Sequence, residues 1–161
     1  MVFAQYDTND NSDNGINAMG LGPGNHLEGC NLIGGIWPRK FNYFHELVLD
    51  QELVRTHGRA CNFLGAMVIG LPPVLNFRHN TSLHHRVMRE CFSSEKPICL
   101  ATSEAFAGSD VVAIRTSAVK SADGTEYVVN GAKKWVINGN WADYFTTAVK
   151  TEGLQRAPDR A

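Results

Sequence analysis

The chain has 161 residues, 43% of them hydrophobic and 19% charged, with a formal net charge of −1. A globular chain of this length buries about 70% of the surface that it exposes when unfolded, enough for a real core. No basic excess points to nucleic acid or an anionic membrane surface, and no apolar run approaches the about 20 residues that cross a bilayer.

The cysteines, Cys30, Cys61, Cys91 and Cys99, are scattered without CxxC spacing. A disulfide or zinc framework would pair them, so a reducing, intracellular compartment is expected, cytoplasmic by default. The acidic, Arg-free start "MVFAQYDTNDNSDNG" has neither the basic, apolar build of a secretory signal nor the Arg-rich build of a transit peptide. Residues 1–18 are rich in Asn, Asp and Gly and are expected to be a disordered or loosely attached tail.

Along the chain, "GLGPG" (Gly20 to Gly24) follows no strand and opens no helix, so it reads as a turn rather than a phosphate loop. Gly34-Gly35 and Pro38 mark another turn. From Phe41 to about Gly58, Phe44, Leu47, Val48 and Val54 recur at helical spacing, broadened by Leu49 and Leu53. Phe63 to Leu71 is a second apolar stretch, helical or tightly packed, that stops at Pro72-Pro73. A third helix, capped by Asn80 or Thr81, runs to about Phe92 and contains Leu83, Val87 and Met88. The vicinal His84 and His85 point in different directions on a helix, which argues against a metal pair.

The period then switches. Strands are expected at Pro97 to Thr102, Val112 to Val119, Glu126 to Val129, Lys133 to Ile137 and Tyr144 to Lys150. Turns fall at Ala122-Asp123-Gly124-Thr125 and at the hairpin-favouring Asn130-Gly131. Helices first and hairpin-joined strands second is an α+β order: N-terminal helices, then an antiparallel, incomplete β-barrel-like sheet. The polar "GLQRAPDRA" is too short to cover the open sheet edge. The sequence therefore predicts a chain that ends mid-domain and a homo-oligomer, or a partner chain, covering that edge.

Two blocks carry chemistry. "CLATSEAFAGSDVVAIRTSAV" and "YVVNGAKKWVINGNWADYFTTAVKT" resemble, in order and spacing, the middle β-domain of acyl-CoA dehydrogenases. That family usually shows Thr-Glu-Pro-x-Ala-Gly-Ser-Asp followed by Asn-Gly-x-Lys-x-Trp-Ile-Thr-Asn-Gly. The preceding "FHELVLDQELVR" and "GLPPVLNF" resemble its N-terminal helical domain, so the resemblance covers about Met19 to Glu152. It implies a helical part at 19–96, the first part of the β-domain at 97–153 and a polar tail at 154–161.

The resemblance implies an FAD flavoprotein of fatty-acid metabolism that dehydrogenates an acyl-CoA thioester at its α,β carbons, with an electron acceptor that the sequence does not identify. An isoalloxazine is a flat, largely apolar slab with polar edges, and it needs apolar walls and a few aimed donors. By resemblance, Leu100, Ala101, Thr102 and Ser103 line the flavin, with the Ser103 hydroxyl at its pyrimidine edge. Ala101, Ala107 and Gly108 allow close approach, and Ser109 contacts the diphosphate or the substrate thioester. Trp135, Val136 and Ile137 form the second wall.

Each of these residues also has a plainer reading. Trp135 alone suits a core aromatic, Ser109-Asp110 a turn or cap, and Glu104 a surface charge. Departures from the family pattern are Ala105 for its Pro, Phe106 for its Gly, Ser103 for its Thr, and Ile137 for the Thr whose hydroxyl donates to the reactive flavin nitrogen. Phe106 is expected to narrow the loop mouth. The family's carboxylate base comes from a C-terminal helical bundle with no counterpart here, so no catalytic residue is assigned and no metal is expected. Alternative readings are a non-catalytic, strand-pairing remnant, or a same-fold oxidase acting on acyl-CoA or nitroalkanes.

Overall fold

The computed structural model describes residues 15–55, 65–76 and 81–151. The fold is α+β, and the described residues fall into two compact units: 15–100 with 137–146, and 101–136 with 147–151.

In the first unit, Ile16–Met19 form a short helix, α1, with Asn17, Ala18 and Met19 buried. This corrects the expectation of a loose tail at Ile16 to Ala18, whereas residues 1–14 of that expected tail lie outside the described residues. Asn17 Nδ2 donates to the Phe92 carbonyl at 2.8 Å, satisfying a helix-end acceptor, and to Ser94 Oγ at 2.6 Å. The turns expected at Gly20 to Gly24 and Gly34-Gly35 are present, with positive φ at Gly22, Gly34 and Gly35. Helix α2 is Tyr43–Arg55. Its start is set by Asn42, whose Oδ1 accepts the N–H groups of Phe44 and His45.

The apolar face of α2 is not the one that the periodicity suggested. Phe44, Leu47, Val48 and Val54 are exposed, and it is Leu49 and Leu53, one turn apart, that pack on the core. Helical residues 65–70 (α3) bury Ala66 and Met67. As expected, α3 ends before Pro72-Pro73, at a bend at Leu71, but a new helix begins at the prolines. Pro72–Asn76 form α4, because a proline in the first turn needs no amide donor. Helix α5, Thr81–Phe92, turns Val87, Met88, Cys91 and Phe92 inward and leaves Leu83 exposed. Leu27, Leu71 and Met88 are fully buried at the centre, each contributing about 1.5–3 kcal/mol of apolar burial.

Strand β1, Ile98–Ala101, pairs with β4, Tyr144–Thr147. Asp143 and Tyr144 donate to the Pro97 carbonyl and Ala148 donates to that of Ala101, so partners advance together and the pair is parallel. Within the first unit, Thr146 Oγ1 reaches the Gly70 carbonyl at 2.6 Å. The Tyr144 hydroxyl donates to the buried Glu90 carboxylate, which also takes Lys96 Nζ at 3.3 Å.

In the second unit, β2 (Ser117–Lys120) pairs antiparallel with β3 (Tyr127–Asn130), in a register running from Ser117↔Asn130 to Lys120↔Tyr127. The expected turn joins them. Asp123 accepts from Ser121 Oγ, Thr125 N and Thr125 Oγ1 while Gly124 sits at φ 72°. Strand β5, Lys150–Thr151, joins β2 in parallel, giving the order β3-β2-β5.

Several strand expectations need correction. The sheet is not wholly antiparallel and not one sheet: β1-β4 and β3-β2-β5 are separate. The expected strand at Val112 to Val119 begins only at Ser117, after a 3-10 turn at Val111–Ala113. The one at Tyr144 to Lys150 is interrupted at Ala148 and Val149. No strand forms at Lys133 to Ile137, because Trp135 (φ 59°) and Asn138 (φ 63°) are left-handed and cannot sit in a pleat. Asn130-Gly131 is therefore not a two-residue hairpin. Gly131 serves a close approach instead: a Cβ there would lie 2.7 Å from Thr116 Cα.

Candidate functional site

The motif loop is built on a tight reversal. Glu104 and Ala107 exchange backbone hydrogen bonds of 2.8 and 3.3 Å, which puts Ala105 and Phe106 at the tip. Phe106 is 76% exposed and lies under the Arg115 guanidinium at 5.0 Å, so its bulk is turned outward rather than spent on narrowing the loop.

Glu104 is the anchor of this loop, and the sequence reading missed it. The residue is buried, and both carboxylate oxygens accept hydrogen bonds. Oε2 accepts the Arg115 N–H at 2.7 Å. Oε1 accepts the Thr116 N–H at 2.9 Å, the Thr116 hydroxyl, and Lys133 Nζ at 2.8 Å. The Lys133 ammonium foremost, then the Thr116 hydroxyl and the Arg115 N–H, hold the Glu104 carboxyl well below the usual carboxylate range. The only hint in the sequence was an acidic residue after a strand with a lysine in the second motif.

Lys133 ties the two motifs together. Its ammonium also donates to the Thr102 carbonyl at 3.1 Å, and the next N–H, Lys134, donates to the Ser103 carbonyl at 2.8 Å. Ser103 and Trp135 therefore lie on adjoining backbone segments of one unit. Trp135 is not a core aromatic. It is 80% exposed, its backbone is left-handed at φ 59°, and Lys134 Nζ sits 4.7 Å from its ring. Such a backbone costs a bulky residue about 1–2 kcal/mol, and here it turns a large apolar ring toward open space.

The remaining expected residues divide as follows. Ala101 is buried, Thr102, Ser103 and Val136 are half-buried, and Gly108 and Ser109 are exposed, all within the second unit. Leu100 and Ile137 belong to the first unit. Asp110 precedes the Val111–Ala113 turn without a side-chain cap, but the Ser109 and Asp110 carbonyls accept the Val111 and Ala113 N–H groups at 3.0 and 3.1 Å, so of the plain readings the turn is present and the cap is not. A Cβ at Gly108 would meet nothing within 4 Å, and its backbone is not left-handed, so the chain's own fold does not require glycine there.

A hollow of about 930 Å³, lined by Leu32, Ile36, Trp37 and Arg39 among others, lies wholly in the first unit and contains none of these motif residues. Among the described residues no group of three or more His, Cys, Asp or Glu side chains could hold a metal, and no helix is long and apolar enough to cross a membrane.

Residues 99–160 match the family model of the acyl-CoA dehydrogenase middle domain. This match and the relatives point to the acyl-CoA dehydrogenase family over this part of the chain. Acyl-CoA dehydrogenase apdG of Emericella nidulans is 36% identical over 127 residues, which is 78% of this chain and 29% of that protein. The mitochondrial very long-chain specific acyl-CoA dehydrogenase of Macaca fascicularis is 37% identical over 62% of this chain and 15% of its own length. Among solved structures, the Bacillus anthracis acyl-CoA dehydrogenase in complex with FAD aligns with a TM-score of 0.62 and 26% identity, covering 86% of this chain and 23% of its own. A probable acyl-CoA dehydrogenase from Mycobacterium abscessus gives a TM-score of 0.53 at 39% identity, over 58% of this chain and 24% of its own. The chain spans less than a third of the length of these relatives.

Proposed function

We propose that this chain forms the helical portion and the flavin-facing β portion of an FAD-dependent acyl-CoA dehydrogenase. The observation that carries the reading is the exposed, left-handed Trp135, held beside the motif strand by the Lys134 N–H to Ser103 carbonyl bond. The residues present fit a flavin. The indole is an apolar wall, Thr102 and Ser103 bring hydroxyls to the strand end, and Gly108 leaves open space where a side chain would intrude. FAD, when bound, would accept the hydride released in desaturation of the acyl chain. The chain's own part is to wall the ring, exclude water from it and hold its edge atoms, with Ser109 placed for the diphosphate or the thioester.

Neither buried carboxylate among the described residues serves as the base. Glu104 is held by Lys133, Thr116 and Arg115, and Glu90 by Tyr144 and Lys96. Carboxylates stabilised this strongly as anions are poor proton acceptors. The substrate is an acyl-CoA thioester, and the assembled form is a homo-oligomer. Dye reduction with acyl-CoA is expected to be absent in the isolated chain, while FAD binding is expected to be present. Titrating FAD into the chain and following flavin fluorescence tests this. Quenching that weakens in Trp135→Leu supports it, and flavin fluorescence indifferent to the chain removes it.

A second reading, a strand-pairing module, rests on β3. It is an outer strand of its sheet, and Tyr127, Val128 and Val129 are 50–57% exposed. A colourless chain that co-purifies with a stoichiometric partner, and releases it on substitution of Val128 by Lys, would favour this reading over the flavoprotein.

A further inference from the structure

The wall that carries Trp135 has no strand ladder of its own, so something else must hold it. The residues from 131 to 136 make no sheet pairing, and a left-handed tryptophan lies among them. Against this stand three anchors to three consecutive residues of the facing segment. Lys133 Nζ takes the Thr102 carbonyl, Lys134 N–H takes the Ser103 carbonyl, and Lys133 Nζ takes Glu104 Oε1. Glu104 is itself fixed from behind by the Arg115 and Thr116 amides.

The ion pair is well removed from water, with side-chain exposures of 11% for Lys133 and 7% for Glu104. Buried pairs contribute little net stability compared with apolar packing, but removing one partner is costly because it leaves an uncompensated buried charge. Here the pair joins segment 133–135 to segment 102–104. Gly131 adds a second constraint on the same path, since only a residue without a side chain passes Thr116, the partner of Glu104.

We propose that Glu104 is a positioning residue: acting through Lys133, it holds the Lys134–Trp135 segment beside Ser103 and so sets the wall of the flavin slot. The flavin part of this inference rests on the function proposed above. The positioning part does not, because it concerns contacts that the chain makes by itself. Glu104 touches neither reacting atoms nor cofactor in this role. Its carboxylate works as a fixed point to which the Lys133 ammonium is tied.

The experiment uses the 161-residue chain with two substitutions, Glu104→Gln, which keeps shape and loses charge, and Lys133→Met, which keeps the stem and loses the ammonium. Lys133→Met leaves the Arg115 and Thr116 bonds to Glu104 in place and is the milder variant if Glu104→Gln folds poorly. Amide hydrogen exchange is read at Lys134, with Leu71 in the helical unit as reference, since its N–H donates to the Met67 carbonyl. The Lys134 amide is expected to exchange about tenfold faster or more in both variants, with Leu71 unchanged, as losing a charge-assisted hydrogen bond implies.

Unchanged Lys134 exchange in Lys133→Met, or acceleration of Lys134 and Leu71 alike, overturns the positioning role. Flavin fluorescence is the second readout. At saturating FAD, the variants are expected to quench less than the parent, because the indole no longer sits in one place. A parent chain that leaves flavin fluorescence undisturbed overturns the flavin assignment alone, and Lys134 exchange then still decides the role of Glu104.

Discussion

Gly131 runs against Thr116 so closely that a Cβ on the glycine would lie 2.7 Å from the threonine's Cα and Cβ. Thr116 cannot yield, because its N–H and hydroxyl are both spent on Glu104. Gly131→Ala is therefore expected to destabilise the second unit by about 1–3 kcal/mol, the usual range for overpacking, and to lower the urea midpoint. A midpoint equal to that of the parent would mean that the two segments are not in contact in solution.

Gly108 predicts the reverse pattern. With nothing within 4 Å of its would-be Cβ and no left-handed backbone, Gly108→Ala is expected to leave the urea midpoint within about 0.5 kcal/mol of the parent. FAD affinity is expected to fall by about tenfold, because the new methyl occupies ligand space. Equal FAD affinity would remove Gly108 from the proposed site.

Glu104 makes stability depend on pH at the acid end. Its folded-state pKa is depressed, so its contribution is complete above the ordinary glutamate value and is lost as pH falls below about 4.3 toward the depressed value. Glu90 acts in the same direction, through Tyr144 and Lys96. Thermal melts between neutral pH and pH 3 should show a smaller acid loss for Glu104→Gln than for the parent. Identical slopes would show that Glu104 ionises normally in the folded chain.

The Tyr144 hydroxyl and the Lys96 ammonium are both raised, by the Glu90 carboxylate that they share. Raised groups contribute stability below their unfolded values and lose it as pH rises through the folded ones, so the chain should soften above about pH 10. Tyr144→Phe is expected to lower the neutral melting temperature and to flatten this alkaline limb. Retention of the full alkaline loss would place its cause elsewhere.

Burial pushes the Cys91 thiol up to about 12 and also raises that of Cys99. Thiolate is the reactive form, so neither should react with a disulfide reagent in the native chain at pH 8. Cys30 is half-buried and is expected to react before them. Peptide mapping after a timed pulse reads the order, and early labelling of Cys91 would contradict its burial against Met88 and Phe92 in the core.

The register of the two motifs, the extent of α5 and the β2–β3 hairpin were legible in the residues themselves. Each rests on local chemistry: a small-residue loop after an aliphatic run, apolar spacing that matches a helical turn, and an Asp-Gly turn whose side chains bond to their own backbone. The face that α2 buries was not legible. Leu47 and Leu49 are equally apolar, and only the position of the core decides which is covered. The strand expected at Lys133 to Ile137 failed for a related reason. Its composition suits a pleat, but tertiary anchors at Thr102, Ser103 and Glu104 bend it into another path. The role of Glu104 was likewise invisible, because its partners stand 11, 12 and 29 residues away. Amino-acid order by itself thus determined the family resemblance and the elements whose causes lie within a few residues. Three-dimensional packing alone decided which side chains became walls and anchors, since burial and ion pairing depend on what the rest of the chain brings alongside.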